Sequence, residues 1–261
     1  MSLFTGTTDY YRKYRPGIPQ EVADVLDATA PQHTPRRLLD IGTGTGLVVE
    51  ALLGRFDDIV ANDTDGQMIA TAEAALRPML PAGTWLSLVE IEAERFEPRA
   101  GWQADLVTIC RAFHWLDQDK ILHRLDAQVA PDGVVAIFGD NSFWAAGSDW
   151  NVAVRAVIKD FLGEQRRAGS GTFNHHDRPY SEILRESPFS VVEEMRVPVT
   201  TTWSRESILG YLYSTTFSAS RLFADRLEEF ESAITRTLRE FSDDDTYVED
   251  NEFLIRLGRR P

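Results

Sequence analysis

Apolar positions in the first half of the chain fall in short runs separated by amphipathic stretches. RRLLDI at Arg36–Ile41 predicts a short buried strand that ends in a glycine-rich turn, and Leu47–Phe56 carries helical apolar spacing. Ile59–Asn62 predicts a second strand, Gly66–Leu76 an Ala-rich helix, Trp85–Ile91 a third strand and Ala104–Cys110 a fourth. Ile121, Leu122, Leu125 and Val129 share one helical face across Asp117–Ala130. A turn at Pro131-Asp132-Gly133 then leads to a fifth strand at Val134–Gly139. Strands spaced by helices of this length make βαβ units and a parallel sheet.

The pattern changes after residue 140. Residues 140–190 form a long insertion with Phe143, Trp144, Trp150 and Phe173, two adjacent histidines and the stretch Gly169-Ser170-Gly171. Phe189–Val199 predicts a strand. Ser204–Ser214 predicts a helix capped by Ser204, with Ser207 three residues on in place of Glu or Gln. Ala219–Phe241 predicts one amphipathic helix, because Phe223, Leu227, Phe230, Ile234, Leu238 and Phe241 recur at steps of three and four. NEFLIRLG at Asn251–Gly258 predicts a terminal strand. The two late strands can pair antiparallel at the edge of the sheet.

Composition narrows the class. The 261 residues carry 27 Lys+Arg against 41 Asp+Glu, a net charge of −14, and one cysteine. One cysteine excludes an internal disulfide framework and a cysteine-ligated structural zinc. No apolar run reaches the roughly 20 residues of a membrane span, and MSLFTGTTDYYRKYRP lacks the apolar core of a secretory signal. The acidic balance opposes a broad nucleic-acid surface, which needs clustered Lys and Arg. Residues 225–252 alone hold 11 acids and 3 bases. Most of the acidity therefore sits on the solvated face of a late helix and the loop after it, and does not describe a pocket. These features lead us to expect a cytoplasmic globular protein with no nucleic-acid or membrane partner and no metal site.

The sharpest local signal is LDIGTGTG at Leu39–Gly46. Glycines at a strand-to-helix turn let backbone approach a ligand closely. The spacing departs from the dinucleotide fingerprint GxGxxG, since Leu47 stands where its third glycine belongs. Asp40 at the strand end would repel a pyrophosphate and suits a ligand with an ammonium or sulfonium group. Asp63 ends the next strand, 19 residues after Gly44, close to the roughly 20 expected for a carboxylate that holds ribose hydroxyls. Asp65 competes with it for the role of helix cap.

With these residues the chain resembles a class I S-adenosylmethionine-dependent methyltransferase of the methyltransferase-11-like small-molecule group. The resemblance rests on YYRKYRP at 10–16, LLDIGTGTG at 38–46, NDTDGQM at 62–68, EAERF at 92–96, AFHWLD at 112–117 and VAPDGVVAIFG at 129–139. It covers residues 10–140 well and the last 70 residues loosely. It implies a Rossmann-like α/β fold: a seven-stranded, mostly parallel sheet with one antiparallel strand, helices on both faces and a substrate-covering insertion. It implies a single domain over 1–261, divided into an N-terminal cofactor lid at 1–35, a cofactor-binding core at 36–140, the insertion at 141–190 and completing strands and helices at 191–261. It implies S-adenosyl-L-methionine as cofactor, with Asp40, Gly42, Gly44 and Gly46 at its methionine part, Asp63 at the ribose, Thr64 among the cofactor-binding residues, and Met68, Ala93 and Glu94 by the adenine. Tyr14 and Arg15 would close the site. Arg111 departs from the small or polar residue common at its position; it either meets the cofactor carboxylate or points outwards.

Methyl transfer from a sulfonium is an in-line displacement, so the protein must position a nucleophile and exclude water. A base is needed only when the nucleophile must lose a proton, and histidine suits that near neutral pH. His114 follows the fourth strand, at the sheet edge where ligands of open α/β folds bind. His175 and His176 lie in the insertion. These three are the catalytic candidates; His33 and His123 read as surface or packing residues. The expected reaction is methyl transfer to an O or N atom of a small molecule, a specialised metabolite by preference. The alternatives are a nicotinamide-dependent oxidoreductase, opposed by Asp40 and Leu47, and a non-catalytic S-adenosylmethionine-binding protein. A nucleic-acid methyltransferase lacks both a basic surface and an Asn-Pro-Pro-aromatic motif.

Overall fold

The fold was analysed in a computed structural model, which describes residues 8–141, 143, 145–164, 167–168, 171–172 and 178–261. In chain order, helices α1 (Thr8–Tyr14) and α2 (Gln20–Thr29) precede strand β1 (Arg37–Ile41). There follow α3 (Leu47–Leu52), β2 (Asp58–Asp63), α4 (Gly66–Leu76), β3 (Trp85–Glu90), β4 (Ala104–Cys110), α5 (Gln118–Gln128) and β5 (Val129–Asp140). Next come α6 (Asp149–Leu162), the two-residue strands β6 (Arg167–Ala168) and β7 (Gly171–Thr172), α7 (Tyr180–Arg185) and β8 (Val191–Trp203). The chain ends with α8 (Arg205–Tyr213), α9 (Leu227–Leu238) and β9 (Tyr247–Arg259).

Two compact units emerge. The larger comprises residues 17–140, 176–197 and 253–261. It holds a seven-stranded sheet in the order β3-β2-β1-β4-β5-β9-β8. β1 pairs parallel with β2 and β4, β2 with β3 and β4 with β5, whereas β9 runs antiparallel to β5. Strand order reverses between β1 and β4, the point at which α/β sheets bind ligands. The central strands are buried on both faces, as their unbroken apolar runs require. Leu39, Ile41, Val107, Ile109, Leu122, Leu125, Val135 and Phe189 belong to one apolar cluster of this unit.

The other unit comprises residues 1–16, 141–175 and 198–252. Its apolar cluster joins Trp150, Val154 and Ile158 of α6 with Ile208 and Leu212 of α8 and Phe230, Ile234 and Leu238 of α9. The expected Ser204 cap is a reciprocal capping box with Ser207.

Two expectations are corrected. The single helix over Ala219–Phe241 is broken: short 3₁₀ turns occupy Ser220–Leu222 and Ala224–Arg226, and α9 begins at Leu227. Ala224 takes a left-handed φ of 48°, which a continuous helix cannot include. Phe223 still stacks on Phe230 with centroids 3.9 Å apart, so tertiary packing meets the apolar period without helical backbone. Phe241, read as part of the apolar stripe, lies beyond α9 and is exposed. The expected turn at Pro131–Gly133 lies instead within β5. Register jumps from Ala104↔Val129 to Leu106↔Val134, so the turn residues are taken up as an irregularity of the strand. Among the described residues no helix is long and apolar enough to cross a membrane.

Candidate cofactor site

The glycine loop joins β1 to α3 with Gly42, Gly44 and Gly46 at φ of 69°, 55° and 85°. Side chains rarely adopt this region, and space forbids them as well. A Cβ on Gly42 would stand 2.6 Å from Ala112 Cβ, and one on Gly46 2.7 Å from Leu76 Cδ1. The loop is closed by backbone bonds from Thr43 N to Asn62 O (2.9 Å) and from Gly46 N to Thr43 O (2.9 Å).

Asp63 fastens this loop to β2. Its Oδ2 accepts the Gly44 N–H at 2.8 Å and its Oδ1 the Asp65 N–H at 3.0 Å. Burial pushes its carboxyl upward. Each carboxylate oxygen can accept a further bond. Asp65 takes the cap of α4, accepting from Gln67 N (2.9 Å) and Met68 N (3.4 Å). The competition foreseen between the two acids is thus resolved, with Asp63 left at the strand end. Thr64 beside it is exposed.

Asp40 is 1% exposed on β1. Its Oδ1 accepts the Thr108 hydroxyl at 2.7 Å, while Oδ2 has no hydrogen-bond partner. Burial pushes its carboxyl up to about 7, and the nearby Asp63 charge adds to the rise. The buried Thr45 hydroxyl also lacks a partner, and the buried Thr43 hydroxyl lies beside the Asp40 carboxyl without a hydrogen bond of good geometry. Buried polar atoms in folded proteins are nearly always satisfied. An unsatisfied carboxylate oxygen and two hydroxyls around a glycine turn therefore fit a cationic, polar ligand group, and fit a pyrophosphate poorly.

The remaining candidates take distinct positions. Met68 and Ala93 are buried, at 2% and 6% exposure. Glu94 is half-buried and its Oε1 accepts the N–H of Asp117, the cap of α5, at 2.9 Å. Arg111 has a left-handed φ of 55°. Its Nε donates to Asp140 Oδ1 at 2.5 Å and its guanidinium lies over the Phe253 ring. The neighbouring Cys110 thiol is pushed up to about 12 by burial. His114 is half-buried after β4, its ring tilted against Trp115 at 4.7 Å.

Tyr14 and Arg15 belong to the other unit. Tyr14 OH donates to Glu206 Oε1 (2.8 Å) and accepts from Lys13 Nζ (2.7 Å). Its ring fills the notch left by Gly210, where a Cβ would lie 2.2 Å from ring carbons. Arg15 donates to Ser214 Oγ at 2.9 Å, with its guanidinium over the rings of Tyr11 and Tyr211. His175 and His176 lie outside the described residues, as do Trp144 and Phe173. Sequence reasoning missed the Gly44–Asp63 bond, the Gly210 notch and the Glu94 bond to the α5 cap. The 19-residue spacing was the only signal for the first; the other two leave none.

Comparison with known proteins agrees with this geometry. Residues 39–137, which include the loop, Asp63 and His114, match the methyltransferase domain family. An uncharacterized methyltransferase of Mycobacterium tuberculosis is 26% identical over 219 residues, 83% of this chain and 78% of the relative. A trans-aconitate 2-methyltransferase of Variovorax paradoxus is 31% identical over 130 residues, 49% of this chain and 47% of the relative. The solved phosphoethanolamine N-methyltransferase 2 of Haemonchus contortus, in complex with S-adenosylhomocysteine, superposes with a TM-score of 0.56 at 16% identity, over 100% of this chain and 61% of that one. The family match and the relatives support a class I S-adenosylmethionine-dependent methyltransferase.

Proposed function

We propose that this methyltransferase transfers a methyl group from S-adenosylmethionine to an oxygen or nitrogen atom of a small molecule, a specialised metabolite, in the cytoplasm. The observation that carries the reading is the glycine turn at β1. There Asp63 ties down Gly44, while Asp40 Oδ2 and Thr45 Oγ1 are buried without hydrogen bonds of good geometry and Thr43 Oγ1 lies beside the Asp40 carboxyl. A small acceptor is further supported by the relative named for trans-aconitate, a small acid. The acidic net charge of −14 speaks against a nucleic-acid acceptor.

S-adenosylmethionine, when bound, supplies the electrophilic methyl carbon. Asp63 would hold the ribose hydroxyls through the lone pairs that Gly44 and Asp65 leave on its oxygens. Asp40 would set its ionised oxygen toward the cationic part of the cofactor, and Gly42 and Gly46 keep the cradle clear of side chains. Buried Met68 and Ala93 give the apolar wall for the base. His114, at the carboxyl end of β4, would take the proton of an acceptor that must lose one. Its partial burial and the Trp115 ring beside it hold the imidazole in place.

The test is turnover. The protein with S-adenosylmethionine and a panel of small hydroxy, amino and carboxylic acids, trans-aconitate included, should give S-adenosylhomocysteine and a product heavier by one methyl. Tight calorimetric binding of S-adenosylhomocysteine with no transfer to any acceptor would favour the non-catalytic alternative.

A further inference from the structure

Strand β4 runs into a backbone conformation that the next residue does not favour. Arg111 has a φ of 55°, in the left-handed region that glycine and asparagine enter more cheaply than arginine does. Contacts within the larger unit hold it there. Its N–H donates to Phe138 O of β5 at 3.0 Å. Its Nε donates to Asp140 Oδ1 at 2.5 Å, both side chains being mostly buried. Its guanidinium lies over the Phe253 ring, 5.3 Å from the centroid. Its Cγ rests over Gly139, where a Cβ would stand 3.1 Å away. The bend directs Ala112 onto the glycine loop, so closely that the Ala112 Cβ would lie 2.6 Å from a Cβ on Gly42. Ala112 also opens the 3₁₀ turn Phe113–Trp115, which carries His114.

A left-handed residue that carries a side chain persists only where its surroundings over-determine it. Glycine would make the same bend without an ion pair. With arginine the bend is locked as well as permitted, and the lock runs from Asp140 through the Arg111 side chain to Ala112, which meets Gly42. When only part of a free population has the binding geometry, apparent affinity falls by that fraction. We propose that Arg111 is a positioning residue: held by Asp140, Gly139 and Phe253, it fixes the left-handed bend that seats Ala112 against Gly42, and so keeps the glycine cradle shaped for the methionine part of the cofactor. It acts through the backbone and needs no contact with the cofactor. This assignment rests on the methyltransferase reading and adds to it a residue that works on the cradle at one remove.

The experiment is calorimetric titration of the full-length protein and its variants with S-adenosylhomocysteine, with Tm measured on each. Arg111→Ala should weaken binding about tenfold, because an alanine without an anchor leaves the left-handed region. Asp140→Ala removes the tether, leaves the arginine and should weaken binding by a similar factor; where Arg111→Ala does not fold, it carries the comparison. Arg111→Gly is the decisive variant. It lacks the side chain yet enters the left-handed region freely, so its affinity should return to within about threefold of wild type. Asp140→Ala added to Arg111→Gly should bring no further loss, since no side chain remains for the carboxylate to hold. An Arg111→Gly protein as weak as Arg111→Ala or Asp140→Ala would mean that the guanidinium itself acts on the ligand, and would overturn the proposal. So would wild-type affinity in Arg111→Ala and Asp140→Ala, even with a lowered Tm. Failure of the wild-type protein to bind S-adenosylhomocysteine would instead overturn the cofactor reading.

Discussion

Gly44 and Asp63, 19 residues apart, are joined by a 2.8 Å hydrogen bond from the backbone N–H of the loop to Oδ2 of the carboxylate. The acid at the end of β2 therefore shapes the glycine turn, and each of its oxygens keeps a lone pair beyond the bond that it accepts.

Asp63→Ala should reduce S-adenosylhomocysteine affinity by about a hundredfold, because two hydrogen bonds to a charged group are lost, each at about 1.5–3 kcal/mol. Asp63→Asn should fall between, since an amide presents an N–H to one of the two backbone donors now held. Calorimetry decides; unchanged affinity in the alanine variant would remove Asp63 from the ribose role.

Asp40 makes stability depend on pH. An ordinary aspartate titrates near 3.8, whereas burial holds this one at about 7. Below 3.8 both folded and unfolded chains keep the proton and the contribution is fully present. Between 3.8 and 7 the unfolded chain ionises while the folded chain does not, so stability is lost as pH rises. The loss is on the order of 4 kcal/mol and is complete above pH 7. Asp40→Asn should flatten the fall of Tm across this range in the ligand-free protein. A parallel slope in both proteins would contradict the assignment.

Gly210 lies inside α8, where glycine costs about 1 kcal/mol relative to alanine. Propensity alone makes Gly210→Ala stabilising. The Tyr14 ring 2.2 Å from the built Cβ makes it destabilising instead. In a Tyr14→Ala background the notch is vacated and the sign should revert. Thermal unfolding of the two single variants and the double variant measures this reversal.

His114→Ala should lower kcat and remove the acidic limb of the kcat–pH profile for an acceptor that must lose a proton. A profile identical to wild type would assign the rate to positioning alone.

Strands β1 to β5 were legible in the sequence because each is a short apolar run bounded by polar turns, and Ala104–Cys110 matches β4 residue for residue. The cofactor candidates were legible for the same reason: loop and acid both sit at strand ends. What escaped depends on pairings remote in sequence. Nothing near Ala224 announces its left-handed backbone; Phe223 and Phe230 keep a helical interval and meet across the break. Pro131-Asp132-Gly133 has turn chemistry, yet β4 and β5 absorb it as a shift of register. Tyr14 and Gly210 meet across almost the whole chain.

The protected state of Cys110 has a practical consequence. A thiol held near 12 carries almost no thiolate at neutral pH, and thiolate is the form that reacts with maleimides and peroxide. It is also the sole cysteine of the chain. The wild-type protein is thus a near-silent background for thiol chemistry. A single cysteine placed on any exposed position becomes the one fast-reacting handle for a fluorophore or spin label, without first removing the native residue.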